Sequence, residues 1–251
     1  MTYSAAIFDG QAQRSLYEAQ IAKYDRIIDQ LDARLGQTVL EIGCGWGGFA
    51  ERAAQRGLNV VGITLSDAQL EWAQNRIANA GLSQQVELKL QDYRDVQGQF
   101  DHIVSIEMFE AVGLRHWPEY FSTLARCLKP DGRIVVQTID INDQHFDSYR
   151  HGTDFIQQYI FPGGMLPSPA RFTLECQQAG LKVEDATSIG IDYADTMKCW
   201  SQKFEEQIHA IRALGFDDPF IRIWRMYLAY CEVGFRERRT DVKQWTLCAK
   251  Y

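Results

Sequence analysis

The chain has 251 residues, 46% hydrophobic and 24% charged, enough to bury a full core in one large domain or two small ones. A formal net charge of −7 argues against a nucleic-acid binder and against attachment to anionic membranes by overall charge, leaving at most peripheral membrane contact. No apolar run approaches the roughly 20 residues of a spanning helix, MTYSAAIFDG lacks a secretory pattern, and six scattered cysteines form no C-x-x-C pair, so a cytoplasmic protein with reduced thiols and no metal site is expected.

In chain order, TVLEIG (38–43) is a short β-rich run that breaks into glycines. FAERAAQR (49–56) is helical and LNVVGITL (58–65) is a strand. SDAQLEWAQNRIANAG (66–81) has a serine N-cap, a helical period and a closing glycine. QVELKLQD (85–92) alternates as a strand, and FDHIVSI (100–106) is a nearly continuous apolar one. WPEYFSTLARCLKPDG (117–132) is predicted as a helix ended by its Lys-Pro-Asp-Gly turn, followed by the strand RIVVQTIDI (133–141). Residues 143–172 are mixed and aromatic, with the turn-rich YIFPGGMLPSP. A helix (168–180), a strand (181–191), two aromatic-rich helices (about 193–214 and 218–235) and a last strand (241–249) follow.

This alternation predicts an α/β fold, a doubly wound and mostly parallel sheet with helices on both faces. Its ligand crevice belongs at the carboxyl ends of the strands. One domain over 1–251 is expected, with an N-terminal helical segment (1–35) and a helical, substrate-covering elaboration (about 143–235) between the last strands.

EIGCGWGG (41–48) places Gly43, Gly45 and Gly48 in a G-x-G-x-x-G pattern between a strand and a helix. A dinucleotide site expects an acid about 20 residues later to hold a ribose hydroxyl. Here the corresponding strand ends in GITLS, without an acid until Asp67, and the acid instead precedes the glycines as Glu41. That arrangement suits a cofactor with a cationic amino group and no pyrophosphate, such as S-adenosylmethionine. The third strand ends in LQDYRD, where an acid suits an adenine amino group and Tyr93 is available to stack.

Longer stretches resemble a known family. YSAAIFDG…SLYEAQIAKYDRI, VLEIGCGWGGFA, VVGITLSDAQ, LQDYRD, FDHIVSIEMFEAVG, LKPDGRIVVQTI, YIFPGGMLPS, DYADTMKCWSQKF and FRERR are similar to the cyclopropane-fatty-acid synthases. That family includes the bacterial phospholipid enzymes and the mycolic acid cyclopropane synthases, within the class I S-adenosylmethionine-dependent methyltransferases of Rossmann-like fold. The resemblance runs from about Tyr3 to Lys250, and the chain is like the compact members, without the extra N-terminal domain of the longer ones. It implies a cofactor pocket formed by Tyr3, Ser4, Gly43 and Gly45, with Thr64, Leu65 and Gln69 at the ribose and tail. Asp92, Tyr93 and Arg94 are implied at the adenine, with Ile106 nearby.

The family reaction attacks a carbon–carbon double bond with the sulfonium methyl, so a carbocation develops and a proton must leave. A dry, apolar pocket is then required, and the aromatics of DFIQQYIF and FIRIWRMYLAY are candidate walls for an acyl chain. In these enzymes a bound bicarbonate is thought to take the proton. The resemblance implies its cradle from Glu110, Tyr193 and the backbone amide of Ile139. Ala5 stands where cysteine is usual, preserving a backbone donor, and Gln137 stands where histidine is usual. Gln137 can donate a hydrogen bond to an oxyanion but cannot relay a proton. Ala111 replaces a histidine found in many members. Of the two glutamates in VSIEMFEAVG, Glu110 is expected in the active site and Glu107 at a strand end near the cofactor cleft or solvent.

The function implied is C-methylation of an unsaturated lipid or fatty acyl chain, with cyclopropane formation expected first. Methyl or methylene branching, a small-molecule N- or C-methyltransferase and a non-catalytic cofactor-binding protein remain alternatives. No sequence feature speaks to oligomeric state.

Overall fold

The computed structural model describes residues 1–11 and 13–250. Seven strands form one sheet: β1 (Thr38–Ile42), β2 (Asn59–Thr64), β3 (Val86–Leu90), β4 (Phe100–Ile106), β5 (Leu128–Ile141), β6 (Leu181–Ser188) and β7 (Thr240–Ala249). Their order is β3-β2-β1-β4-β5-β7-β6. Neighbours from β3 through β5 are parallel, and β7 pairs antiparallel with both β5 and β6. The chain leaves β1 in one direction through β2 and β3, then returns to add β4 on the other side. That reversal opens a crevice at the carboxyl ends of β1 and β4.

Alternation along the strands fills both faces, because successive side chains point to opposite sides. Val39, Val104 and Val135 pack on one face with Tyr24, Ile27, Leu31 and Phe49. Leu40, Ile103 and Ile134 pack on the other with Phe109, Trp117, Phe121 and Phe172. The helices supplying these layers are α1 (Leu16–Leu31), α2 (Gly48–Gln55), α3 (Asp67–Asn79), α4 (Trp117–Cys127) and α7 (Pro169–Gln178), while α5 (Asp143–His151) and α6 (Phe155–Tyr159) lie between β5 and α7 in the chain. A third cluster forms around Ala5, Tyr193, Met197, Tyr227 and Phe235. Its helices are α8 (Gly190–Glu206) and α10 (Asp218–Arg236), joined through the short α9 (Ile208–Ala213).

Helix α1 starts with a reciprocal cap between Ser15 and Glu18. Its buried stripe is Ala19, Gln20, Lys23, Tyr24, Ile27, Ile28 and Leu31, so a lysine occupies the middle of a core-facing helix face.

The structure moves three predicted boundaries. Helix α4 ends at Cys127, and Lys129–Gly132, expected to terminate it, already belongs to β5. The tetrapeptide forms an irregularity within the strand: Leu128 pairs with Phe100 and Arg133 with His102, so five steps along β5 match two along β4, and Lys129 Nζ meets Asp101 Oδ1 at 2.8 Å. Strand β6 stops at Ser188 because the Gly190 amide turns to donate to Asp241 Oδ1 at 3.0 Å, and α8 begins there. The helical region expected over about 143–235 is two insertions, α5–α6 after β5 and α8–α10 after β6. The intervening α7 and β6 belong to the main sheet and its cover.

Phe172 is fully buried, with its ring 4.5 Å from Trp245 and 5.1 Å from Phe121 between centroids. Phe172→Ala is expected to cost about 3–5 kcal/mol of unfolding free energy. Urea denaturation should show a lower midpoint with an unchanged slope.

Candidate active site

A cavity of about 650 Å³ opens at the carboxyl ends of β1, β2 and β4. All twelve residues assigned to the cofactor from the sequence line it: Tyr3, Ser4, Glu41, Gly43, Gly45, Thr64, Leu65, Gln69, Asp92, Tyr93, Arg94 and Ile106. The turn after β1 is fixed by the Gly43 and Cys44 amides, which both donate to the Ile63 carbonyl, at 3.0 and 2.9 Å. Gly43 has φ +83°, and a β-carbon there would lie 2.8 Å from Met108 Cγ. Only glycine satisfies both conditions.

Around the rim, Thr64 Oγ1 donates to Gln69 Oε1 at 3.1 Å, orienting the glutamine side chain, while Leu65 is 71% exposed. Asp92 is gripped by Arg94, whose Nε and Nη2 donate at 3.0 and 2.7 Å to its two oxygens. The hydrogen-bonded Arg94 guanidinium holds the Asp92 carboxyl below its ordinary range. Tyr93 sets its ring edge-on to Tyr120, 5.6 Å between centroids.

Buried charges stand at the inner wall, as Glu41, and behind it, as Lys23. Lys23 is fully buried, donates to Ser4 Oγ at 2.6 Å, and has its pKa lowered by burial to about 7 against the upward pull of Glu107 and Glu41. Burial raises Glu41 well above the carboxylate range; Lys23 and the Ala50 amide counteract it, and one carboxylate oxygen, Oε2, has no hydrogen-bond partner.

Glu107 is the hub. Its Oε1 accepts from the Ala5 amide at 2.8 Å and from Gln137 Nε2 at 2.7 Å, and its Oε2 accepts from the Tyr193 hydroxyl at 2.9 Å. Gln137 is in turn held by Gln244, whose Nε2 donates to Gln137 Oε1 at 3.0 Å. Burial raises the Glu107 pKa, opposed by the Ala5 amide first, then by Lys23, Gln137 and Tyr193. Three of the five residues expected to cradle an anion beside Glu110 therefore converge on Glu107 instead. The reading of Glu107 as a possible solvent-facing strand end is corrected: its residual surface faces the cavity.

Glu110 sits in the next turn. Its Oε1 accepts from the Ile139 amide at 2.6 Å and its Oε2 has no partner. Burial first, then the charge of Glu107, push its pKa up to about 8, so it holds a proton at neutral pH. Of the anion-cradle residues, only Ile139 contacts it. The Glu110 carbonyl also accepts from the Met165 amide at 2.9 Å, which ties the YIFPGGMLPSP segment to the site.

Rings from both expected aromatic stretches gather beside this centre. Tyr3 stacks on Trp200 at 5.1 Å and shares a 3.0 Å hydroxyl contact with Tyr227, and Phe161 lies 6.1 Å from the Tyr227 ring. Phe155 lies 5.6 Å from Tyr159.

Residues 1–245 match the family model described as mycolic acid cyclopropane synthetase. The chain belongs to this family. It is 44% identical over 254 residues to a tuberculostearic acid methyltransferase of Mycobacterium tuberculosis, covering 98% of this chain and 60% of that protein. It is 38% identical over 248 residues to the cyclopropane-fatty-acyl-phospholipid synthase of Escherichia coli K12, covering 98% and 61%. The chain thus spans about 60% of the length of these relatives. Among solved structures, the cyclopropane synthase MmaA2 from Mycobacterium tuberculosis superposes with a TM-score of 0.90 at 32% identity, covering 99% of this chain and 90% of that one. The mycolic acid cyclopropane synthase CmaA1, complexed with SAH and CTAB, gives 0.90 and 32% over 98% and 89%. The fold is that of the class I methyltransferases.

Sequence reasoning passed over Lys23 and Gln244 and undervalued Glu107. Lys23 had a visible signal, a lysine at the 3–4 spacing of the apolar stripe Ala19–Tyr24–Ile27–Leu31. Gln244 had none, because its partner Gln137 comes from another strand.

The raised Glu110 pKa fixes a pH dependence. The native carboxyl binds its proton up to about 8, whereas an unfolded glutamate releases it near its ordinary 4.5. This contribution to stability is fully present below the unfolded value and is lost as pH rises through the native one. Glu110→Gln keeps the acceptor for the Ile139 amide and removes the titration. Thermal melts should show the variant gaining stability relative to the parent as pH rises across this window, with little difference at its acid end.

Proposed function

We propose that this chain is an S-adenosylmethionine-dependent C-methyltransferase acting on the double bond of an unsaturated fatty acyl chain. The observation that carries this reading is the single cavity in which the glycine turn, the Asp92 rim and the buried Glu107 share one wall. The residues present fit the cofactor. The unpartnered Glu41 Oε2 suits a cationic ammonium group, the bare Gly43 turn permits close approach, and Asp92 with Tyr93 suits an amino-bearing aromatic base. When bound, S-adenosylmethionine supplies an electrophilic methyl on a sulfonium.

The protein's part is to hold the alkene against that methyl, to exclude water from the cation left on the acyl chain, and to accept a proton. Tyr3, Phe161, Trp200 and Tyr227 supply apolar walls, and their π-faces favour a nearby positive charge. Bicarbonate beside Glu110 is the base that the family resemblance implies. The engagement of Ala5, Gln137 and Tyr193 by Glu107 argues against it here.

One cation leads to two products. Loss of a proton from the added methyl with ring closure gives a cyclopropane, whereas a 1,2-hydride shift from the methyl-bearing carbon to the cationic carbon, followed by loss of a methyl proton, gives a methylene branch. The 44% identity to a relative named as a tuberculostearic acid methyltransferase favours the branch. Incubation with S-adenosylmethionine and several unsaturated lipids, followed by proton NMR, decides it. Vinylidene signals are expected; high-field ring protons would assign ring closure instead, and turnover of an amine alone would end the lipid reading.

A further inference from the structure

The three donors on Glu107 make a site for one carboxylate-sized anion. The Ala5 amide can only donate, Gln137 donates through its Nε2 while its Oε1 accepts from Gln244, and both address the same oxygen. Tyr193 donates to the other oxygen from a residue only 3% exposed. A neutral acid would forfeit part of this arrangement, whereas a carboxylate accepts all of it, and the Lys23 charge favours the ionised form. A carboxylate offers about four lone-pair positions. Three are used, which leaves one for an incoming proton.

We infer that the Glu107 carboxylate fills the place of an external anion and is itself the proton acceptor, so that the reaction proceeds without bicarbonate. This rests on the proposed methyl transfer to a double bond. The alkene π pair forms the new C–C bond as the S–CH3 bond breaks and its electron pair stays on sulfur. A hydride then shifts from the methyl-bearing carbon to the cationic carbon, a C–H bond of the added methyl breaks, its electron pair forms the C=C bond of the methylene branch, and its proton moves to a Glu107 oxygen. The proton passes to water when the cavity opens to release product, which restores the carboxylate. Burial raises the Glu107 pKa, which strengthens it as a base, while the Ala5, Gln137 and Tyr193 donors favour its charged form. Glu110 is less suited to the role, since it holds a proton at neutral pH and is absent from the cavity wall.

The backbone supplies a clean way to vacate the site. Glu107 has φ +49°, in the left-handed region where a glutamate is strained and a glycine is not. Its amide donates to the Gln137 carbonyl at 2.7 Å, which any residue preserves. Glu107→Gly should therefore fold and leave the three donors facing an empty space.

The test has a part that needs no substrate. Titration of ¹³C-bicarbonate, followed by its NMR linewidth, should show binding to Glu107→Gly and none to the parent enzyme. Equal binding, or none to either, would overturn the claim that Glu107 occupies an anion site. In turnover assays in carbon-dioxide-free buffer the parent should keep its rate, while Glu107→Gly and Glu107→Gln should fall by about 10²–10⁴-fold with S-adenosylmethionine binding retained. Added bicarbonate or formate should raise the rate of the glycine variant alone. A parent rate that drops without bicarbonate, or a Glu107→Gln enzyme of normal rate, contradicts the inference. If the parent turns over no unsaturated lipid, the proposed function fails instead, and the bicarbonate titration still reports on the site.

Discussion

One carboxylate joins four distant parts of this chain. Glu107 follows β4 and is held by the N-terminal segment through Ala5, by β5 through Gln137 and by α8 through Tyr193. Each bond spans a large separation in sequence, so the site exists only once the sheet, the N-terminal segment and the late helical insertion have all docked. The left-handed backbone at residue 107 aims the side chain back across the strand ends, and a strained conformation of this kind persists only where its surroundings over-determine it. Here three hydrogen bonds and the continuing β4–β5 ladder do so.

The charges around that carboxylate are arranged so that few are unbalanced. Glu41 and Glu107 lie within electrostatic reach of the buried Lys23, and Glu110 lies within reach of Glu107. If all three glutamates ionised, the repulsion would be severe in so dry a place. The structure separates their states by environment. Glu107 has donors on both oxygens, Glu110 accepts from the Ile139 amide with Glu107 beside it, and Glu41 has one buried oxygen without a hydrogen-bond partner. The same fold thus offers a carboxyl held by donors on both oxygens, a protonated one, and an acceptor suited to a cationic ligand.

Local pattern made most of the sheet legible. The glycine turn, the serine cap of α3 and the uninterrupted apolar run of β4 are short-range features, and the structure follows them closely. Misplaced boundaries occur where a strand continues across a local irregularity, as at Lys129–Gly132 between the Leu128 and Arg133 pairings with β4. The cavity wall was readable because most of its residues sit at strand ends in chain order. The cluster around Glu107 was harder to read, since it depends on which of two glutamates in one turn faces the cavity, and Glu107 has a positive φ. No periodicity encodes it. Family resemblance grouped Ala5, Gln137 and Tyr193 with Glu110, whereas the structure hydrogen-bonds all three to Glu107.

The central claim, that residue 107 is an ionised carboxylate held by three donors, is open to infrared difference spectroscopy. Protein with ¹³C-labelled glutamate side chains would be compared with its Glu107→Gly counterpart at neutral pH. The account predicts that the substitution removes a carboxylate stretching band displaced by strong hydrogen bonding. Loss of a protonated carboxylic acid carbonyl band in its place would contradict it.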